Sequence, residues 1–359
     1  MSFPPLAEES LPRRMSALCR TVAARAAAFV RRARSRLGRS AHVPDDALCA
    51  RRDADGRTPA PAGRPGIIPP AHPGRVPRLL TAAIAALMVA SSLLGLTVRG
   101  LYQEPPSVVA MVRGLDAVNL AVAVPALAGS LWLAGRGSLR GRILWTGTLA
   151  YTLYTYVLFV FGLGFTATFL LHVAVLAMAI YALALALGSA DREAFARRFR
   201  HRARARAAAI VLGLLGLGLG GIWTYYASRF ALAGALPPEG LIVQPVSGLH
   251  LSYAADLVLI VPAYLLAAVQ LWRQQPWGYL LGGTLLVSGT LQQVGYMAQL
   301  AFQSRARISG ATATDPDEPP IVVAYLVALV LLLAGSRTPA AVGPGDRTAP
   351  GRLRPRPAT

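Results

Sequence analysis

Eight apolar stretches, each close to the roughly 20 residues a helix needs to cross a bilayer, punctuate this chain and leave it few ways to fold. They fall at about 79–98, 115–134, 143–163, 165–188, 207–227, 252–272, 278–301 and 320–336. Charged residues make up 14% of the chain and hydrophobic ones 54%, whereas a soluble domain carries about 25% charged residues. In lipid every backbone N–H and C=O must find its partner within the protein, which helices achieve segment by segment. The expectation is an all-α, polytopic transmembrane helix bundle of about eight spans (79–336). It is flanked by an Arg/Pro-rich tail (1–78) and a short Pro/Gly/Arg-rich tail (337–359).

All 36 basic residues are arginine. Without lysine there is no Schiff base to a carbonyl cofactor and no P-loop lysine. The two cysteines, Cys19 and Cys49, both lie in the N-terminal tail, so no thiolate metal site or disulfide is expected among the spans. No cofactor or resident metal is expected. Residues 1–78 carry 15 arginines against six acids, a composition that predicts disorder for most of the tail. Within it, Met15, Leu18, Val22, Phe29, Val30 and Leu37 recur at helical spacing among arginines. Over 13–37 this reads as a basic amphipathic helix on an anionic membrane, with a solvated basic tail as the alternative.

The formal charge of +20 is distributed as membrane orientation requires, not as a nucleic-acid surface. The two tails and the loops 135–142, 189–206 and 273–277 hold 31 arginines, while the loops 99–113, 228–251 and 302–319 hold five. Positively charged loops stay inside, so both termini are expected in the cytoplasm of a cell (inner) membrane protein. The expected partners are the bilayer and its anionic headgroups, with no nucleic acid. Trp132, Trp145, Trp223, Trp272 and Trp277 sit near span ends, as interfacial belts do.

The two halves resemble one another. Asp116, Val124-Pro125, Leu131-Trp132, an arginine turn and Gly147-Thr148-Leu149 in one half answer to Asp256, Val261-Pro262, Leu271-Trp272, an arginine turn and Gly283-Thr284-Leu285 in the other. Four spans per half would make a 4+4 parallel internal repeat. The runs Arg136-Gly137-Ser138-Leu139-Arg140-Gly141, Leu144-Trp145-Thr146-Gly147, Tyr151, Tyr154, Tyr156 and Phe161-Gly162, with Pro276-Trp277-Gly278-Tyr279 later, resemble a group of uncharacterised polytopic bacterial membrane proteins. That resemblance implies the membrane fold and brings no activity with it.

Ionisable and polar groups inside spans are costly, which makes them functional candidates. The inferred orientation puts Asp116, Asn119, Tyr154, Tyr156, His172, Asp256, Tyr296 and Gln299 in the outer half of the membrane. If they share a solvated cavity, Asp116 and Asp256 are proton or cation partners, His172 a proton relay and the tyrosines hydrogen-bonding walls. The alternative is that the aspartates begin their spans at the headgroups and the tyrosines are belt residues. No H-E-x-x-H and no G-x-S-x-G occurs, so an enzyme is not the expectation. Two functions follow: a carrier of a small solute with an outward-facing polar site, or a non-catalytic scaffold or sensor whose basic tail makes the contacts.

Overall fold

The computed structural model describes residues 74–191, 195, 201–237 and 240–334. The amphipathic helix expected at 13–37 and both tails' disorder lie outside them. Among the described residues the chain is helical with no strand. Eight helices follow one another: α1 Arg75–Thr97, α2 Pro106–Gly135, α3 Leu139–Gly162, α4 Phe169–Gly188, α5 Arg202–Ala233, α6 Val246–Trp272, α7 Pro276–Arg305 and α8 Glu318–Ala334. Six of them, α1 to α6, are long and apolar enough to cross a membrane. Helix α8 is shorter, at 17 residues. Helix α7 has 30 residues, and its glycines are buried in the bundle together with Thr284, Ser288 and Gln303.

Two helices begin earlier than hydropathy suggests. Helix α2 starts at Pro106, where a proline at the first helical position costs no hydrogen bond, and α6 starts directly after Pro245. Arg113 and His250 lower the local hydropathy and hide these first turns. Arg113 is absorbed by donating from Nε to the Gly95 carbonyl at 3.3 Å. Asp116 and Asp256 therefore do not open their spans; each lies roughly three turns inside its helix.

Both α2 and α6 widen into a π-turn, at Asn119–Ala123 and Asp256–Ile260. The cause is the proline that follows. A proline ring clashes with the carbonyl four residues back and donates nothing. One loosened turn, in which the Val124 and Val261 amides reach back to the Asn119 and Asp256 carbonyls, admits Pro125 and Pro262 without breaking the helix. The hairpins that follow also correspond. Gly137 and Gln274 hold the two turns at φ 76° and 56°. A Cβ on Gly141 would stand 2.7 Å from the Ala134 amide, and one on Gly278 2.6 Å from the Leu271 amide. One and the same sequence interval separates the members of every pair. The sequence comparison set Asp116 against Asp256; the π-turns instead pair Asn119 with Asp256 and Asp116 with Tyr253.

Packing follows the same division. Helix α1 packs on α2 and α4, and α3 on α2 and α4; likewise α5 packs on α6 and α8, and α7 on α6 and α8. The halves meet where α3 lies against α7, with α2 on α7 and α3 on α6 beside it. Small residues allow the approach. A Cβ on Gly283 would be 2.7 Å from Ile143, one on Gly114 would be 2.8 Å from the Ala298 carbonyl, and Thr146 and Thr284 share a hydrogen bond of 2.7 Å. Gly216 and Gly220 do as their spacing suggests and bring α5 against Tyr264 and Val261 of α6.

The tryptophans divide. Trp132 and Trp272 are exposed, with Arg136 at 3.5 Å and Arg206 at 5.3 Å over their rings, as belt residues would be. Trp145 is fully buried and donates to Thr81 Oγ1 at 3.1 Å.

At the arginine-poor end, Gln303 is fully buried and ties α7 to its neighbours. Its Nε2 donates to the Ser107 and Val243 carbonyls at 2.9 and 2.8 Å, and its Oε1 accepts from the Val243 amide at 3.0 Å. Gln303→Leu leaves those backbone groups unpaired and is expected to cost about 1–2 kcal/mol. A lowered thermal midpoint in detergent would measure it; an unchanged midpoint would mean that water replaces the amide freely.

Candidate functional site

The polar residues singled out from the sequence do not converge on one place. They form two groups, one among α1 to α4 and one around Asp256, where Tyr154 of α3 meets α5 and α6, with Tyr296 and Gln299 apart from both.

The first group lies among α1 to α4. Asp116 and Asn119, one turn apart on α2, are completely buried. Tyr102 folds back from the α1–α2 loop and its hydroxyl donates to Asp116 Oδ2 at 2.7 Å. Burial, reinforced by the neighbouring carboxylate, holds the Tyr102 phenol well above its ordinary range, so it remains a donor. The same loop is fastened by Glu104, which accepts from the Gly164 amide at 2.7 Å. Tyr151 of α3 donates to Asn119 Oδ1 at 3.0 Å. His172 of α4 pairs through Nε2 with Ser91 Oγ of α1 at 2.8 Å, and its ring sits against Phe159 and Tyr156, with centroids 4.9 and 5.8 Å away. Asp116, Asn119, Tyr156 and His172 therefore do come together.

This group is polar, buried and incompletely paired. Asp116 Oδ1, Asn119 Nδ2, Ser92 Oγ, Thr155 Oγ1 and the Tyr156 hydroxyl make no close hydrogen bond; Ser92 reaches toward Asp116, Thr155 toward Tyr151 and Ser91 toward Tyr156 only at longer range. Buried polar atoms are paired in the great majority of cases, so five in one bundle interior need an explanation. Space for the carboxylate is provided by Gly95. A Cβ there would fall on Asp116 Oδ2 and within 2.6 Å of the Tyr102 hydroxyl.

The second group is saturated. Asp256 Oδ1 accepts from Tyr154 of α3 at 2.6 Å, and Oδ2 from Trp223 Nε1 of α5 at 2.9 Å. The Trp223 ring stacks on Tyr253 at 3.9 Å. The carboxylate thus joins three helices and has no oxygen to spare. Deeper in the same half, the Tyr264 and Tyr325 hydroxyls share a hydrogen bond of 2.8 Å.

Tyr296 donates to Asp315 Oδ2 at 2.9 Å in the α7–α8 loop. Gln299 spends its Nε2 on the Gly295 carbonyl of its own helix at 3.2 Å. Sequence reasoning passed over Ser92, Gly95 and Tyr102, and read Trp223 as a belt residue, whereas it is bonded to Asp256. The pair Ser91-Ser92 within an apolar run was a visible signal, and so was Trp223 in a glycine-rich span. Nothing local marks Tyr102, which reaches Asp116 only because its loop turns inward.

Comparison with protein-family models, with curated proteins and with solved structures gives no match.

Proposed function

We propose that this protein is an eight-span membrane carrier of a small solute, built from two parallel four-helix halves, with its site in the first half around Asp116. The membrane reading is supported by six helices of spanning length and apolarity. An even number of spans and the arginine bias put both termini on the cytoplasmic side, where the arginine-rich loops and tail meet anionic headgroups. The repeat is supported by the paired π-turns, hairpins and helix contacts. Parallel repeats with irregular helices at mid-depth are a recurrent carrier architecture, and π-turns are frequent at functional sites.

One observation carries the reading: Asp116 is buried inside an apolar bundle with one oxygen engaged by Tyr102 and no close hydrogen bond to the other. Ionisable groups persist in such surroundings when function requires them. Asp256, with both oxygens bonded, has a structural role, while Asn119, Tyr156 and His172 line the site and Tyr154 holds Asp256.

The test is flux. Full-length protein in proteoliposomes loaded with a pH-sensitive dye, and separately under a sodium gradient, is offered amino acids, sugars, organic acids and organic cations. At least one class is expected to drive ion-linked flux that Asp116→Asn abolishes with protein yield unchanged. Absence of solute-driven flux across the panel, or full flux in Asp116→Asn, would sink the carrier reading.

A further inference from the structure

Four side chains from three helices each carry a buried polar atom with no close hydrogen bond: Ser92 on α1, Asp116 and Asn119 on α2, and Tyr156 on α3. None is more than 1% exposed. Ser92 stands one turn before Gly95, where an added Cβ would meet the Asp116 carboxylate; the Ser92 hydroxyl lies within longer hydrogen-bonding reach of that carboxylate, and Tyr156 feels its charge. We propose that this cluster binds one dehydrated alkali-metal cation, with Asp116 as its single charged ligand. The proposal rests on the carrier reading above, whose site it shares, and makes this cation the coupling ion.

The donor set fits. Two hydroxyl oxygens and a carboxylate oxygen are hard ligands of the kind that hold unpolarisable cations. Asn119 adds a fourth. Its amide can present either end, because the Tyr151 hydroxyl that fixes it can donate to the oxygen or accept from the nitrogen. Charge limits the valence: Arg113, which donates to the Gly95 carbonyl, already sets one positive charge near Asp116, so a divalent ion would leave more uncompensated charge in an apolar bundle than a monovalent one. Tyr102 occupies Oδ2 as a neutral donor, so Asp116 offers a single oxygen. A proton on that oxygen would satisfy one atom of the set; a cation takes an oxygen from each of the four side chains. The second half lacks such a place, since its corresponding residue is Tyr253 and Asp256 is saturated.

The test uses full-length protein in nanodiscs, with the thermal midpoint measured in LiCl, NaCl or KCl against choline chloride at equal ionic strength, and ²²Na⁺ binding measured directly. One alkali chloride is expected to raise the midpoint saturably above choline. Asp116→Asn should abolish that rise, Ser92→Ala should weaken the affinity about tenfold, as one lost ligand would, and Asp256→Asn should keep it. If no alkali salt exceeds choline, or if the rise survives in both Asp116→Asn and Ser92→Ala, the cation site is wrong. A wild-type response to pH alone also overturns it. In that case solute-driven proton flux would still support a carrier, while absence of any flux would remove the carrier reading independently of ion binding.

Discussion

Gly95→Ala is expected to lower the thermal midpoint of the protein sharply and to disable the first-half site together with it. The added methyl falls on Asp116 Oδ2, and 2.6 Å from the Tyr102 hydroxyl and 2.8 Å from Asp116 Cγ. The methyl has no rotamer of its own, so relief requires the Asp116 carboxylate or the buried Tyr102 ring to move. Either the Tyr102–Asp116 hydrogen bond opens or α1 and α2 separate. Overpacking of this kind costs about 1–3 kcal/mol, and loss of the hydrogen bond between two buried groups adds about 1 kcal/mol. The control is Gly218→Ala on α5, where a Cβ meets nothing within 4 Å. There the better helix propensity of alanine should leave the midpoint equal or slightly higher. Unfolding followed by intrinsic tryptophan fluorescence in detergent compares the two. Equal midpoints would mean that Asp116 does not sit where the fold puts it.

How much of this was legible in the sequence depends on distance along the chain. The helices were, because a run of apolar residues is a local property, and the tight approach of α5 to α6 followed from Gly216 and Gly220 alone. Helix starts at Pro106 and Val246 were masked by Arg113 and His250, whose polarity is neutralised by tertiary contacts in one case and by position near a helix end in the other. Helix α7 was read as a span from its apolar run at 278–301, but its glycines, glutamines and hydroxyls keep it out of the six helices apolar enough to cross a membrane, in keeping with a centre enclosed by α2, α3, α6 and α8. The pairing of the polar residues was not legible. Asp116 and Asp256 look equivalent as letters in a repeat, but the π-turn is the structural landmark, and it shifts the match by most of a turn. That shift separates a carboxylate with a free oxygen from one that is fully engaged. Tyr102 and Trp223, which make the difference, come from a loop and from a different helix.

The same separation makes Asp256→Ala and Asp256→Asn informative together. Asp256 holds Tyr154 of α3 and Trp223 of α5 by two short bonds, and thereby fastens α6 to the helix through which the halves meet. Alanine leaves a half-buried phenol and a half-buried indole N–H without acceptors, at up to about 1–3 kcal/mol each, and removes the volume of the carboxyl as well. A loss of about 2–3 kcal/mol is expected, with Trp223 fluorescence altered because its Nε1 loses the carboxylate that holds the ring where it stacks on Tyr253. Asparagine keeps one acceptor oxygen, for Tyr154 or for Trp223, and should recover roughly half of the loss. If instead Asp256→Ala is no less stable than wild type but Asp256→Asn abolishes solute-driven flux, the second carboxylate is a working group and not an anchor. The vacancy at Asp116 would then be one of a pair, and the division of labour between the halves would have to be given up.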